Sequence, residues 1–271
     1  LLIIFASLLA STLFAQDYGF VTLEEIKYTQ CNFDKDADAV IFFDKAITKP
    51  ADDRQMVTKR TIRFKILKEG GLSKGNIRIL YRSRDEFEKI EALEAFVVNT
   101  NAQGEMTTAL ADRKAIYNKK INEYYSEIKI PLPEVKVGSI IEYRYTSIMQ
   151  HFGGLQDWYF QTDIPTITSQ LDLTILPGAS FAYKVVKSPS LPIDQKTYKD
   201  EGRVVFTMNN IAGLREEPFM DAPGDYLQRV VFQLAEYQTY YGSRRRFANN
   251  WPNLAMDAYL PPKSILIKGV L

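Results

Sequence analysis

A mainly β chain, folded as an antiparallel sandwich, is the architecture this sequence predicts. Three observations predict it. Apolar side chains recur at every second position in many short segments, turn-forming Gly, Pro and Asn residues separate those segments, and no long helical period intervenes. Parallel sheets need long, usually helical crossovers, so their absence points to antiparallel pairing.

The chain opens on an uncharged run, residues 1–16, rich in Leu, Ile, Phe and Ala. It is too short to span a bilayer as a helix, which takes about 20 residues. Ala15 suits the position before a signal-peptidase cut. Residues 1–16 are therefore expected to be a signal peptide that lacks its initiator Met and basic lead. The mature product is expected to be exported, periplasmic or extracellular, with no stable membrane span. Removing them leaves 271 − 16 = 255 residues, enough to bury roughly 70–75% of the unfolded chain's surface.

Residues 17–38 read as a helix and lead-in. Thr22 can accept a hydrogen bond from the amide of Glu25, whose carboxylate can reach back to Thr22, and Val21 can staple against Ile26. The helix is expected to end near Cys31, before the polar stretch Asn32 to Asp38.

Residues 39–238 carry the two-residue period of a β-sandwich domain. Ile62, Phe64 and Ile66 alternate with Arg63 and Lys65, and Ile141, Tyr143 and Tyr145 alternate with Glu142, Arg144 and Thr146. Leu171, Leu173 and Ile175, then Val204, Phe206 and Met208, then Val230, Phe232 and Leu234, repeat the pattern. Each segment should present one buried and one wet face, which leaves Lys65 in water. Turns fall at Glu69-Gly70-Gly71, at Asn101-Ala102-Gln103-Gly104 and at Pro177-Gly178. Gly104 suits the left-handed position of a bulged hairpin. After Tyr237 the pattern changes. Residues 239–271, with Arg244-Arg245-Arg246, Trp251, Leu254 and Met256, read as a linker and the short helical start of a following domain.

Composition excludes several chemistries. The 34 basic and 33 acidic side chains nearly cancel, so no overall field recruits nucleic acid. Cys31, the single cysteine, cannot form an intramolecular disulfide. Thiol catalysis needs an imidazole base and an orienting group, yet Cys31 has only His151 to call on and lies near a helix end, where the dipole does not activate it. One Cys and one His cannot make an ordinary structural zinc site. Asp34, Asp36 and Asp38 alternate as in a calcium loop, but Ala39 stands where the glycine is required and Lys45 where the glutamate is.

Other arrangements fall short in the same way. Glu216 to Asp225 clusters acids in a Pro-containing loop without the facing geometry of a glycosidase. Gly70 to Gly75 lacks phosphate-loop spacing. Trp158, Tyr159 and Phe160 are consecutive, so on a strand they cannot share one sugar-stacking face. The expectation is no catalytic, metal-ligating or cofactor-binding residue, and no cofactor.

Several segments carry a resemblance: Ala37-Asp38-Ala39-Val40, Lys59 to Leu67, Val137 to Tyr145, Asp157 to Gln161 and Glu216 to Met220. In order and spacing, from about Ala39 to Tyr237, the chain resembles the domain of unknown function that precedes transglutaminase-like domains in exported bacterial proteins. The resemblance implies an immunoglobulin-like sandwich followed by a papain-like domain with a Cys-His-Asp triad. No family catalytic residue maps onto a position here. The expected function is a non-catalytic module that supports or presents a downstream transglutaminase- or peptidase-like domain. The alternative is a stand-alone glycan- or peptide-binding module.

Overall fold

A computed structural model describes residues 18–51, 55–151, 155–215, 220, 222–238, 242–246 and 265–268. The expected signal peptide, Glu216 to Phe219, and Trp251, Leu254 and Met256 lie outside the described residues. Strand outweighs helix by 54% to 10%, so the chain is mainly β. No helix among the described residues is long and apolar enough to cross a membrane.

Helix α1 (Leu23–Lys27) starts as the sequence requires. The Glu25 amide donates to Thr22 Oγ1 at 3.2 Å, and the Thr22 amide donates to Glu25 Oε2 at 2.8 Å. It stops at Lys27, earlier than expected. Tyr28 is already extended, and the Lys65 ammonium donates to the carbonyls of Glu25 (3.0 Å) and Ile26 (2.5 Å). A cation bonded to the last carbonyls of a helix is a good terminator.

The strands are β1 (Ala39–Pro50), β2 (Met56–Ile66), β3 (Asn76–Arg82), β4 (Glu88–Thr100), β5 (Met106–Leu110), β6 (Tyr117–Lys120), β7 (Tyr125–Pro131) and β8 (Ile140–Met149). They continue as β9 (Trp158–Tyr159), β10 (Thr166–Thr174), β11 (Ala179–Val186), β12 (Asp194–Tyr198), β13 (Arg203–Ile211), β14 (Arg229–Gln238), β15 (Arg244–Arg246) and β16 (Ile265–Lys268). An eight-stranded sheet runs β12-β13-β10-β1-β2-β8-β4-β5, a five-stranded sheet joins β15, β14, β11, β16 and β9, and a small sheet runs β3-β7-β6. Gly104 takes its left-handed place (φ 85°) in the β4–β5 hairpin.

One expectation needs correction. The pairing is not wholly antiparallel, because β1 lies parallel to β10. The connection between them contains β2 to β9. That is long enough to return the chain to the same sheet end without a helical crossover. The helical start expected around Trp251, Leu254 and Met256 lies outside the described residues, and the parts of 239–271 that are described include two strands. Arg244–Arg246 pairs antiparallel with β14, and Ile265–Lys268 pairs antiparallel with β11. On β11 the edge that β14 leaves open offers backbone donors and acceptors, which a strand satisfies and a helix cannot.

The eight-stranded sheet is covered on its inner face and on part of its outer face. Its inner face packs on the five-stranded sheet through Leu171, Phe206, Phe181 and Phe232, and on the small sheet through Ile62, Phe64, Ile77 and Ile130. Its outer face is covered by residues 18–37: Cys31, Tyr18, Val21, Ile26 and Phe33 pack against Val40, Phe42, Phe43, Phe96 and Ile140. A register shift between Ile41 and Phe43 turns both Phe42 and Phe43 outward to that layer. This second cover buries three charged positions of the alternating strands, Arg63, Lys65 and Glu142, and leaves Lys59 on the same face exposed. Arg63 and Glu142 are 0% exposed and Lys65 is 4% exposed, so Lys65 is not the solvated residue expected.

Candidate functional site

The sequence offered Cys31 and His151 as its only thiol–imidazole pair, and the structure does not bring them together. Cys31 is buried in the outer apolar layer. His151 is exposed just past the end of β8, tilted against Phe87 with ring centroids 6.3 Å apart, and lines a cavity that Cys31 does not.

The acids of the Asp34 turn are engaged by a cation of the chain itself. Arg215 Nη2 donates to Asp34 Oδ1 at 2.5 Å and Nη1 lies 3.7 Å from Asp36. Among the described residues no cluster of three His, Cys, Asp or Glu side chains could hold a metal. The Gly70-Gly71 pair serves close packing: a Cβ on Gly71 would stand 2.4 Å from the Asp38 carbonyl oxygen. Trp158 and Phe160 are buried and Tyr159 is exposed, so the three share no platform.

A hydrogen-bonded polar constellation lies on the inner face, where β1, β2 and β8 meet the segment that leads into β9. Arg60 on β2 grips Asp44 on β1 with two hydrogen bonds, Nε to Oδ1 at 2.8 Å and Nη2 to Oδ2 at 2.6 Å. Its Nη1 reaches Tyr145 on β8 at 3.4 Å, and its guanidinium lies 4.7 Å from the Trp158 ring centroid. Trp158 is fixed in turn by donating to Ser169 at 3.2 Å. Burial works against the charge on Arg60, yet Asp44 holds its pKa well above the usual arginine value. Burial raises the phenol pKa of Tyr145 and Tyr143, so both rings stay neutral in the physiological range.

Beside this pair, Glu88 on β4 is buried and accepts from the Ser147 hydroxyl (2.5 Å), the Gln156 amide (2.8 Å) and the Arg82 backbone amide (2.9 Å). Asp157 completes the wall, its pKa raised by burial against weaker opposing effects of the Phe232 amide and Arg229. The space these groups enclose is about 110 Å³. Ligand pockets usually run to roughly 300–1,000 Å³. The bonds of Arg60 and Glu88 tie β1, β2, β8 and β4 together beside the β9 segment.

Sequence reasoning passed over Asp44, Arg60 and Glu88. One signal was present: Asp44 closes the apolar run Ala39 to Phe43, and an acid within a buried strand calls for a partner.

The family described as "Domain of Unknown Function with solved-structure structure (DUF3857)" matches residues 52–215, more than half of the chain. No curated protein matches. Among solved structures, the chain is similar to one described as a "putative protease" from Parabacteroides distasonis ATCC 8503. The two are 13% identical with a TM-score of 0.58, over 72% of this chain and 40% of that one. An M1 zinc metallopeptidase from Deinococcus radiodurans is 10% identical with a TM-score of 0.34, over 72% of this chain and 42% of that one. The first likeness speaks to fold alone and the second is too weak to argue from. The chain spans less than half the length of either protein.

Proposed function

The chain belongs to the DUF3857 family, and on that premise we propose that it is a non-catalytic, exported module that supports or presents a transglutaminase- or peptidase-like domain of a longer protein. One observation carries this reading. The fold shared with the Parabacteroides protein covers most of this chain but only 40% of that one, as expected of a module that recurs beside other parts. The geometry is in keeping with it: the polar groups around Arg60 and Glu88 brace strands, and Cys31 is buried in an apolar layer and does not line the cavity of His151. An immunoglobulin-like arrangement of residues 39–238 and cleavage after the apolar run near Gln16 belong to the same proposal.

The test is an assay of the purified chain for amide hydrolysis and acyl transfer on glutamine- and peptide-amide substrates. No turnover is expected, and none should appear or vanish with Cys31→Ser or His151→Ala. An activity abolished by either substitution overturns the proposal. N-terminal sequencing of the exported product tests the compartment, and a mature chain that keeps residues 1–15 would refute export by cleavage.

A further inference from the structure

A second cavity, about 280 Å³, opens between the β3–β4 turn and the end of β8, lined by Arg82, Arg84, Phe87, Tyr124, Gln150 and His151 together with Asp85. Its wall is held in an uncommon shape. Asp85 and Glu86 are consecutive non-glycine residues with φ of 54° and 53°. Such conformations cost free energy and persist only where the surroundings enforce them. The enforcement is visible: the amides of Ser83 and Arg84 both donate to the Tyr124 carbonyl (3.0 and 3.3 Å), and the Gln150 amide donates to the Phe87 carbonyl at 2.9 Å.

The cavity is rich in donors and carries excess positive charge. The Arg82 guanidinium lies 4.5 Å from the Phe87 centroid and that of Arg84 lies 4.8 Å from Tyr124. Contact of a guanidinium with a ring face engages the plane of the fork and not its N–H edge. The Arg82 guanidinium has no carboxylate within 4.0 Å among the described residues, although its backbone amide donates to Glu88, whereas the Arg84 guanidinium has Asp85 at 3.4 Å. Gln55 donates to the Gln150 carbonyl oxygen at 2.9 Å, which presents the Gln150 amide as a donor. One uncompensated guanidinium matches one negative charge, and the two rings offer apolar walls to whatever carries it.

We propose that this cavity binds a small carboxylate with an apolar side group, of the size of the C-terminal residue of a peptide. The carboxylate lies on the Arg82 fork, with Arg84 and Gln150 as further donors, and the side group lies against Phe87 and Tyr124. Nothing in this assignment depends on the scaffold role proposed above.

Isothermal titration of the full chain with N-acetyl-L-phenylalanine, with its C-terminal amide and with inorganic phosphate decides the matter. The acid should bind saturably, and phosphate more weakly, because it has no apolar group to bury against Phe87 and Tyr124. The amide should be weaker by about tenfold or more, the loss expected for one charge-assisted hydrogen bond. Arg82→Gln should weaken the acid by a similar factor with the thermal midpoint unchanged, and Arg84→Gln serves if that variant fails to fold. Equal binding of acid and amide, phosphate binding as tightly as the acid, or no binding of the acid overturns the proposal. The contrast between acid and amide in the unsubstituted chain decides it without any variant.

Discussion

Arg63 donates twice to a single oxygen of Glu142, from Nε at 2.8 Å and from Nη2 at 2.5 Å, and both side chains are sealed from water. Arg63 Nη1 also reaches both oxygens of Glu25 at 3.0 Å. The capping carboxylate of α1 is thus tied to the centre of the largest sheet. Burial raises the Glu142 pKa against the opposing pull of Arg63.

Removing one partner of such a pair strands a buried charge, so Arg63→Met should destabilise by about 3–5 kcal/mol in urea titration. Arg63→Met combined with Glu142→Leu should cost less than the two single changes added together. A raised carboxyl pKa favours the folded state below the ordinary value of 4.5, and that advantage is lost as pH rises through the folded pKa. Arg63 opposes that rise, so without it the Glu142 pKa climbs further. The variant then gains more than the parent as pH falls, and the Arg63→Met deficit should shrink toward pH 4.5. A deficit independent of pH would mean that Glu142 is not what the loss exposes.

How far the sequence was legible depends on which face is considered. Alternation located Ile62, Phe64, Leu173 and Phe206, which are buried where the period places them. It failed at Lys65, because a period of two says that faces differ and not that one of them is wet. The warning lay in unbroken apolar runs such as Val40 to Phe43 and Phe96-Val97-Val98, which mark strands covered on both sides. The inner-face constellation was less legible still, because Asp44, Arg60 and Glu88 lie on three strands whose neighbourhood only the pairing order reveals.

Lys65 and Phe64 are neighbours on opposite faces, and both should now matter. Phe64→Ala empties a site between two sheets and should cost about 3–5 kcal/mol. Lys65→Met keeps much of the stem but forfeits two charge-assisted bonds to the end of α1, and should cost about 1.5–3 kcal/mol. Burial also lowers the Lys65 pKa below its ordinary value of 10.5. In the window between that lowered pKa and 10.5 the unfolded chain holds more protons, so this group favours folding increasingly as pH rises. The Lys65→Met deficit should widen across that window. Denaturant midpoints that do not move for Lys65→Met would return the residue to solvent.

Tyrosines give the opposite trend at higher pH. Burial raises the phenol pKa of Tyr143, Tyr145 and Tyr183 above the ordinary value of 10. Above pH 10 the unfolded chain ionises while these rings resist, so stability must fall as pH rises. Tyr143→Phe should soften that fall. Absorbance titration near 295 nm should show a fraction of phenols that ionise only on unfolding, and full ionisation of the folded chain near pH 10 would contradict the burial.

Strand β16 supplies the last test, because it decides whether the tail is part of the sheet. Its pairs with β11 are Ser180 to Lys268, Phe181 to Ile267, Ala182 to Leu266 and Tyr183 to Ile265. Phe181 and Tyr183 are buried residues of the apolar cluster between the two large sheets, so the strand that β16 borders is a core strand. Amides in such a ladder exchange only when the strands part. In an antiparallel pair every second residue of β11 turns its amide toward β16 and the others turn toward β14. Hydrogen exchange on the chain should show slow amides within Ile265–Lys268. In a variant lacking residues 263–271, the β11 amides that face the vacated edge should exchange faster while those bonded to β14 stay slow. Fast exchange of Ile265–Lys268 in the full chain, or no change in β11 after removal, would show that β16 does not pair in solution.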